Sequence, residues 1–598
     1  MTKKIFAAVF VLSFTPALCL HAQKIITGDS IPLRGEAKYK GAWTHFDYVN
    51  PNAPKGGSIT HYSIGTYDNF HRYALRGSTC EGSDYFYDTL MVEAKDEIGT
   101  LYPLIASKVE YPENYKYIIL DINPNAKDQN GNPITAEDVA FSYNMFYEKG
   151  VPQFRSYYAG VTVKVLAGNR VRFDLGDKND KEMMMDLSKT TVFPKSFWTD
   201  KEFSEPLMSP PVGTGPYRVK DYKMGQYVVL ERVKDYWAKD LPVNKGIYNF
   251  DTIRYDYYRD SNVAFEAFKA GEYDFRKENS AKNWATEYTG NIFENGTMIR
   301  EEIEHEIAQV TTGLIFNSQS ELFSNRIIRI ALNYFFDFEW MNKNLFYSQY
   351  KRTRSYFQNT EYEATGTPAK EELAILEKLR GKIPEEVFTS IYNPPVFSGD
   401  GNVRPQAREA MKLFAEAGWN LKNGKLVNAD GKQMEFELLV HDVSTERYAL
   451  PYQDMLKHYG IIMKIRTVDP SQFINRLRSG DFEMTSMSYP ELQYPSSSLM
   501  ILFHSSHIDS TWNLARIIDP AVDNLVEQIA GSQEDPKRLL HLGHALDRVL
   551  TWNHYMIPQW HLNKFRLAYK NKFVKPALRP KYDVGLDTWW VKDVSTKN

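Results

Sequence analysis

Cysteine is almost absent: Cys19 and Cys80 are the only two in 598 residues, which excludes a disulfide scaffold. Long hydrophobic runs are equally scarce. Beyond the first 22 residues no stretch is apolar enough to span a bilayer as a helix. The body of the chain holds no basic block, and its formal charge is −3, or −5 without Lys3 and Lys4 (70 basic against 75 acidic residues). Nucleic acid and anionic membrane are therefore poor partners. Catalytic signatures are missing too. There is no Gly-x-Ser-x-Gly elbow, phosphate loop or His-Glu-x-x-His motif, and Gly213-Thr214-Gly215-Pro216 lacks a following Lys and reads as a structural turn. His504/His507 and His541/His544 are spaced by three, but without a Glu or Cys partner they read as packing or solvated histidines, not as metal ligands.

What is present begins with Met1–Ala22: a basic start at Lys3-Lys4, an apolar run from Ile5 to about Leu20, and small residues before Gln23. Together these make a secretory signal. Leu18 stands before Cys19 where lipid attachment wants a small residue, so a lipoprotein anchor is the weaker reading. Removal of the leader leaves Cys80 as the only thiol, and stability in an oxidising compartment must come from core burial. At 69.3 kDa with 43% hydrophobic residues the chain exceeds what one core serves, so two or more domains are expected.

Residues 129–146 carry the clearest local signal. Asn130-Gly131 supplies a tight turn, Thr135 an N-cap, and Asp138 completes a capping box before Val139, Tyr143 and Phe146 fall on one helix face. The alternating Tyr115–Ile122 precedes them, giving strand, turn, helix. Periodicity predicts further helices over Ser261–Ala270, Asn325–Phe346, Lys370–Arg380, Pro405–Ala417, Ala521–Ala530 and Pro536–Leu550. Strands are expected over Val161–Leu166, Arg170–Asp174, Tyr227–Arg232, Thr252–Tyr258, Thr311–Asn317, Glu435–His441, Met463–Thr467 and Asp481–Thr485. Phe265–Phe275 and Phe473–Met484 share one pattern, helix, glycine stop, acidic-aromatic pair and strand, which fits two α/β lobes built from similar units.

Several blocks resemble a known family. Pro103-Leu104-Ile105-Ala106-Ser107, Asn123–Lys127 and Asn130–Val139 are similar to the signature segment of the oligopeptide- and dipeptide-binding receptors of ABC importers, with Asn130-Gly131 where the family usually has Asp-Gly. Gly213–Tyr217, Ala264–Asp274, Ile327–Leu332 and Ala410–Gly418 recur in the family's order. Within it, His45–Pro51, Lys55-Gly56-Gly57, Tyr356–Tyr362 and Gly585–Trp590 resemble the Yej-type branch, associated with peptides and peptide-like antibiotics.

The resemblance implies an α/β, two-lobed periplasmic-binding-protein fold with a hinge of two crossovers. Lobe one would be 23–302 plus 560–598, with an inserted subdomain around 80–205, and lobe two 303–559. It implies a periplasmic, monomeric receptor without cofactor or catalytic activity, which closes over an oligopeptide and delivers it to an inner-membrane ABC permease. In relatives a segment like Met487-Ser488-Tyr489 offers backbone to the peptide, and an Asp four residues before a Pro takes the peptide ammonium; here Glu491 stands four before Pro495, with Tyr494 beside it. The plain alternative for Glu491 is a solvent-facing loop residue. Arg76-Gly77-Ser78 lies where relatives place a lobe-one loop against the ligand, and Arg76 suits a carboxylate or phosphate, or a salt bridge within its own lobe. Trp512 and Asn513 follow as candidate cleft residues. Two other readings stay open: a secreted hydrolase of peptides or glycans, and a receptor of the same fold for a metal chelate or oligosaccharide.

Overall fold

The computed structural model describes residues 24–150, 152–177 and 180–592; the leader Met1–Ala22 lies outside them. Among the described residues no helix is long and apolar enough to cross a membrane. The turn at 128–132 is held by Asp128, which accepts the backbone N–H groups of Asn130 and Asn132, while Gly131 takes φ 85°. The capping box then forms: Asp138 Oδ2 accepts the Thr135 N–H at 2.8 Å, and helix Ala136–Lys149 follows. Val139 and Tyr143 pack with Ile118, Leu120, Val171 and Phe173 of a five-stranded antiparallel sheet, whose order is Ile25–Gly28, Ala106–Pro112, Tyr117–Ile122, Arg170–Asp174, Thr162–Leu166. Phe146 turns instead into an aromatic cluster with Phe193, Trp198 and Phe203. That strand–turn–helix unit thus joins two cores.

The larger sheets fall into two groups by chain segment. The first group contains the sheet above and two more. One is Tyr217–Lys223, Tyr227–Arg232, Thr252–Tyr258 and Ser58–Ile64; the other sets Phe275–Lys277 and Met298–Glu304 on either side of Lys564–Lys570. The second group centres on one five-stranded sheet ordered Ile462–Thr467, Glu435–Val440, Met484–Tyr489, Thr311–Phe316, Met556–Pro558. The chain leaves the first group after Glu304, and returns between His561, which pairs with Lys351, and Lys564. A Cβ on Gly213 would stand 1.8 Å from the Phe86 carbonyl oxygen and one on Gly215 2.3 Å from that of Tyr85, so the Gly-Thr-Gly-Pro segment is a close-approach turn, as its missing Lys suggested.

Several elements depart from expectation, and three show why. The helix expected over Asn325–Phe346 is two, Arg326–Asn333 and Phe338–Leu345. Phe335 and Phe336 turn into the core between them, and Asp337 starts the second helix by accepting the Trp340 N–H at 2.9 Å. The strand expected over Asp481–Thr485 runs from Met484 to Tyr489, because Asp481 is still tied to Arg476 of the preceding helix. Helix Glu446–His458 holds Pro451 inside it; burial of Ala449, Tyr452 and Leu456 outweighs the hydrogen bond a proline removes. Cys80 is buried, and burial pushes its thiol up to about 12.

Four buried histidines give stability a pH dependence. Burial pushes His71, His305 and His561 down to about 4 and His554 down to about 3, with neighbouring cations adding to it at the last three. A depressed imidazole contributes stability that is present above its unfolded value of 6.5 and lost as pH falls through the folded one. Asp88 and Asp547, pushed up to about 7 by burial, slope the other way: their contribution is full below 3.8 and lost as pH rises through about 7. His61, also pushed down to about 4 by burial, adds to the histidines, while burial raises Asp337 and Glu483 on the opposing side. Because the histidines titrate in the unfolded chain near 6.5, inside the interval, scanning calorimetry should show the unfolding temperature dropping between pH 7 and pH 5. A flat or rising temperature over that interval would remove the histidines from control.

Candidate ligand-binding site

In the second sheet the strands Ile462–Thr467, Glu435–Val440, Met484–Tyr489 and Met556–Pro558 run in one direction and Thr311–Phe316 against them. Their carboxyl ends therefore come out together, on the side from which the crossovers leave. Open α/β sheets bind ligands outside these ends. Pairing with Glu435–Val440 involves only Met484 and Thr485 of the central strand, so Ser486–Tyr489 present an edge that no strand covers among the described residues. Such an edge offers main-chain donors and acceptors to an extended chain.

The residues singled out by sequence distribute unevenly around that edge. Met487 is half-buried between two core clusters, and the Ser488 hydroxyl is 2.8 Å from that of Thr312. The Tyr489 ring is fully buried between Tyr356 and Phe503, which leaves only its backbone for a ligand. Glu491 is exposed and has no hydrogen-bond or ion-pair partner among the described residues. Tyr494 points across to the first group of sheets: its hydroxyl donates to Glu182 Oε1 at 3.0 Å, and the Arg34 guanidinium lies 3.7 Å from its ring centroid. Arg76 forms an ion pair with Glu205, Nε to Oε2 at 3.0 Å, which is the own-lobe alternative. Gly77 and Ser78 wrap Asp68: the Ser78 N–H donates to Asp68 Oδ1, and a Cβ on Gly77 would stand 2.6 Å from the same oxygen. Trp512 is 53% exposed. Asn513 is buried, its Oδ1 accepting the Ile517 N–H at 2.9 Å, so its amide holds its own loop together.

The model of the bacterial extracellular solute-binding proteins, family 5 (middle part), matches residues 100–510. The chain belongs to this family. YejA of Escherichia coli strain K12 is 49% identical over 583 residues, covering 97% of this chain and 96% of that one. A protein of Agrobacterium fabrum named as a probable peptide-binding protein YejA is 36% identical over 589 residues, covering 96% of both. Among solved structures, the oligopeptide-binding protein AppA of Bacillus subtilis, in complex with a nonapeptide, superposes with a TM-score of 0.58 at 21% identity, over 91% of this chain and all of that one. The fold is thus the two-lobed α/β architecture of family 5 solute-binding proteins, with the two groups of sheets as its lobes.

In this family 5 protein the carboxyl-end rim also holds residues that the sequence reading missed. The Tyr448 hydroxyl is 2.6 Å from that of Ser486 on the free edge, its ring stands edge-on to Trp560 at 5.2 Å, and Trp560 touches Phe346 at 4.5 Å. Arg447 lies over Phe346 at 5.2 Å. The usable signal was position: Trp560 comes two residues after the strand Met556–Pro558, at the start of the short strand Trp560–His561, and Tyr448 in the first turn of the helix after Val440. Arg566 is buried in the central strand of the lobe-one sheet, 5.8 Å from the Tyr350 ring, with Nε and Nη1 unpaired among the described residues. The lobes also meet through Arg34, which donates to Gln533 Oε1 at 2.7 Å, and through Lys181 and Glu534 at 3.2 Å, around a pocket of about 300 Å³. No group of three or more His, Cys, Asp or Glu placed to hold a metal occurs among the described residues.

Proposed function

We propose that this solute-binding protein captures oligopeptides or peptide-like compounds between its lobes in the periplasm and delivers them to an inner-membrane ABC permease, acting as a monomer without cofactor or catalytic activity. Lobe one comprises 23–304 plus 564–598, with the inserted subdomain around 80–205, and lobe two 311–561; the segments 305–310 and 562–563 form the hinge. Both boundaries expected from sequence shift, because Ile303 and Glu304 still pair with Phe565 and Lys564, and Trp560 and His561 pair with Arg352 and Lys351. The uncovered edge of Ser486–Tyr489 carries the reading, since an added strand is held by main-chain hydrogen bonds that do not depend on its sequence. Peptide names and a bound nonapeptide among the relatives support it.

Glu491 holds the ligand ammonium; Met487, Ser488 and Tyr489 contribute backbone; Trp512 lines the cleft wall. Tyr494 acts at closure, as do the lobe-one turn Arg76-Gly77-Ser78 and the loop held by Asn513, through position and not through direct side-chain recognition. Native mass spectrometry of the protein purified from cells should find peptides bound in the cleft, and peptides incubated with it should be recovered intact. Cleaved peptides would replace the receptor reading with the hydrolase, and a bound sugar or metal chelate in place of peptide would keep the fold but change the ligand.

A further inference from the structure

A cavity of about 840 Å³ lies away from the cleft, between helix Phe338–Leu345, the first turn of helix Arg404–Glu416 and helix Glu446–His458. Tyr448 at one end of the last helix reaches the cleft rim, whereas His458 and Tyr459 at the other end line the cavity, about 15 Å further along the axis. Its aromatic wall is Phe335, Trp340 and Tyr459, with Phe335 and Tyr459 rings 5.0 Å apart. Three carboxylates, Asp337, Asp400 and Asp454, also line it, against one guanidinium, Arg404.

Asp337 gives the cavity its chemistry. It is 5% exposed, its Oδ1 accepts the Trp340 N–H, and its other oxygen has no partner and no ion pair among the described residues. That oxygen is not sealed in the core but opens on the cavity, where a ligand cation can reach it. Asp400 Oδ1 accepts the Ser398 hydroxyl and the Asn402 N–H, leaving its second oxygen free, and exposed Asp454 has no partner among the described residues. Gly401, at φ 84°, stands where a Cβ would approach Trp340 Cδ1 at 3.7 Å, so the absence of a side chain keeps the aromatic wall reachable.

We infer that this cavity is a second binding site, for an organic cation bearing an alkylammonium or guanidinium group. Trp340 and Tyr459 offer ring faces to the cation, Asp337 a charge-assisted hydrogen bond at the cavity floor, and Asp454 a second at its mouth. The site is independent of the peptide reading. Free amines and the side chain of a capped amino acid share this chemistry, and separate probes distinguish them.

Titration calorimetry on the full chain, with its cleft saturated by peptide, should show agmatine binding at one site, weakening as salt is added. Acetyl-arginine amide binding equally well would mark a side-chain receptor; failure of that probe alone would mark a free-amine site. Asp337→Asn keeps an N-cap acceptor and the fold, and should weaken agmatine by about tenfold or more. Asp454→Asn, on the exposed rim, should weaken it several-fold. Absence of saturable agmatine binding at millimolar concentration, or equal affinity in wild type, Asp337→Asn and Asp454→Asn, would overturn the inference without touching the peptide reading.

Discussion

Glu491→Gln should cost a peptide with a free amino terminus about 2–5 kcal/mol of binding free energy, and its N-acetylated counterpart far less. The wild-type carboxylate is exposed and unpartnered among the described residues, two positions beyond the end of the uncovered strand edge. A peptide lying along Ser486–Tyr489 brings its ammonium into reach. Closure of the lobes then removes water from both charges, and a charge-assisted hydrogen bond replaces it. Gln retains the shape and one acceptor but not the charge. Much of the loss therefore comes from an ammonium left inside a closed cleft without a counter-ion. Acetylation removes that ammonium beforehand, so the acetylated peptide has nothing to strand. Calorimetry with both peptides on both proteins separates the outcomes: equal losses, or none for either, would place the amine elsewhere.

The parts of this molecule legible in sequence are those fixed by neighbours in the chain. Thr135 and Asp138 act three residues apart, Asn130-Gly131 marks its own turn, and Gly213 and Gly215 advertise a close approach through what they lack. Ligand roles were harder because they depend on which face a side chain takes. Met487, Ser488 and Tyr489 read alike as a cleft segment, yet the strand's alternation sends Tyr489 into the core and leaves Ser488 beside Thr312. Arg76 illustrates a second limit. Its partner Glu205 is 129 residues away, and no local pattern chooses between that carboxylate and one on a ligand. Asn513 was misleading for the opposite reason: an amide next to an exposed Trp looks available, but Ile517, four residues on, occupies it. The aromatic rim of Tyr448, Trp560 and Phe346 draws on three distant segments and becomes visible only when the sheet sets its carboxyl ends side by side.

Arg34 illustrates the same limit across 499 residues, and its replacement carries the other large expected effect. The guanidinium lies between the lobes, donating to Gln533 Oε1 at 2.7 Å and covering the Tyr494 ring at 3.7 Å, while Tyr494 donates to Glu182. Every one of these contacts joins lobe one to lobe two, so a hinge motion that parts the lobes here breaks them. A desolvated cation–π contact contributes up to about 2 kcal/mol and a hydrogen bond to a charged group about 1.5–3, partly offset by rehydration of the freed guanidinium. Arg34→Met, which keeps the aliphatic packing, should therefore destabilise the closed form by about 2 kcal/mol, or about thirtyfold in the closure equilibrium. The Lys181–Glu534 pair is too exposed on the Glu side to compensate. Where that change appears depends on the resting state. If the unliganded protein is mostly open, closure is driven by ligand and the variant binds peptide more weakly at nearly unchanged unliganded dimensions. If it rests closed, free and bound forms lose the same contacts, affinity changes little, and small-angle scattering shows a larger radius of gyration without peptide. A variant that matches the wild type in both affinity and unliganded radius would mean that Arg34 and Tyr494 merely touch and do not latch the lobes.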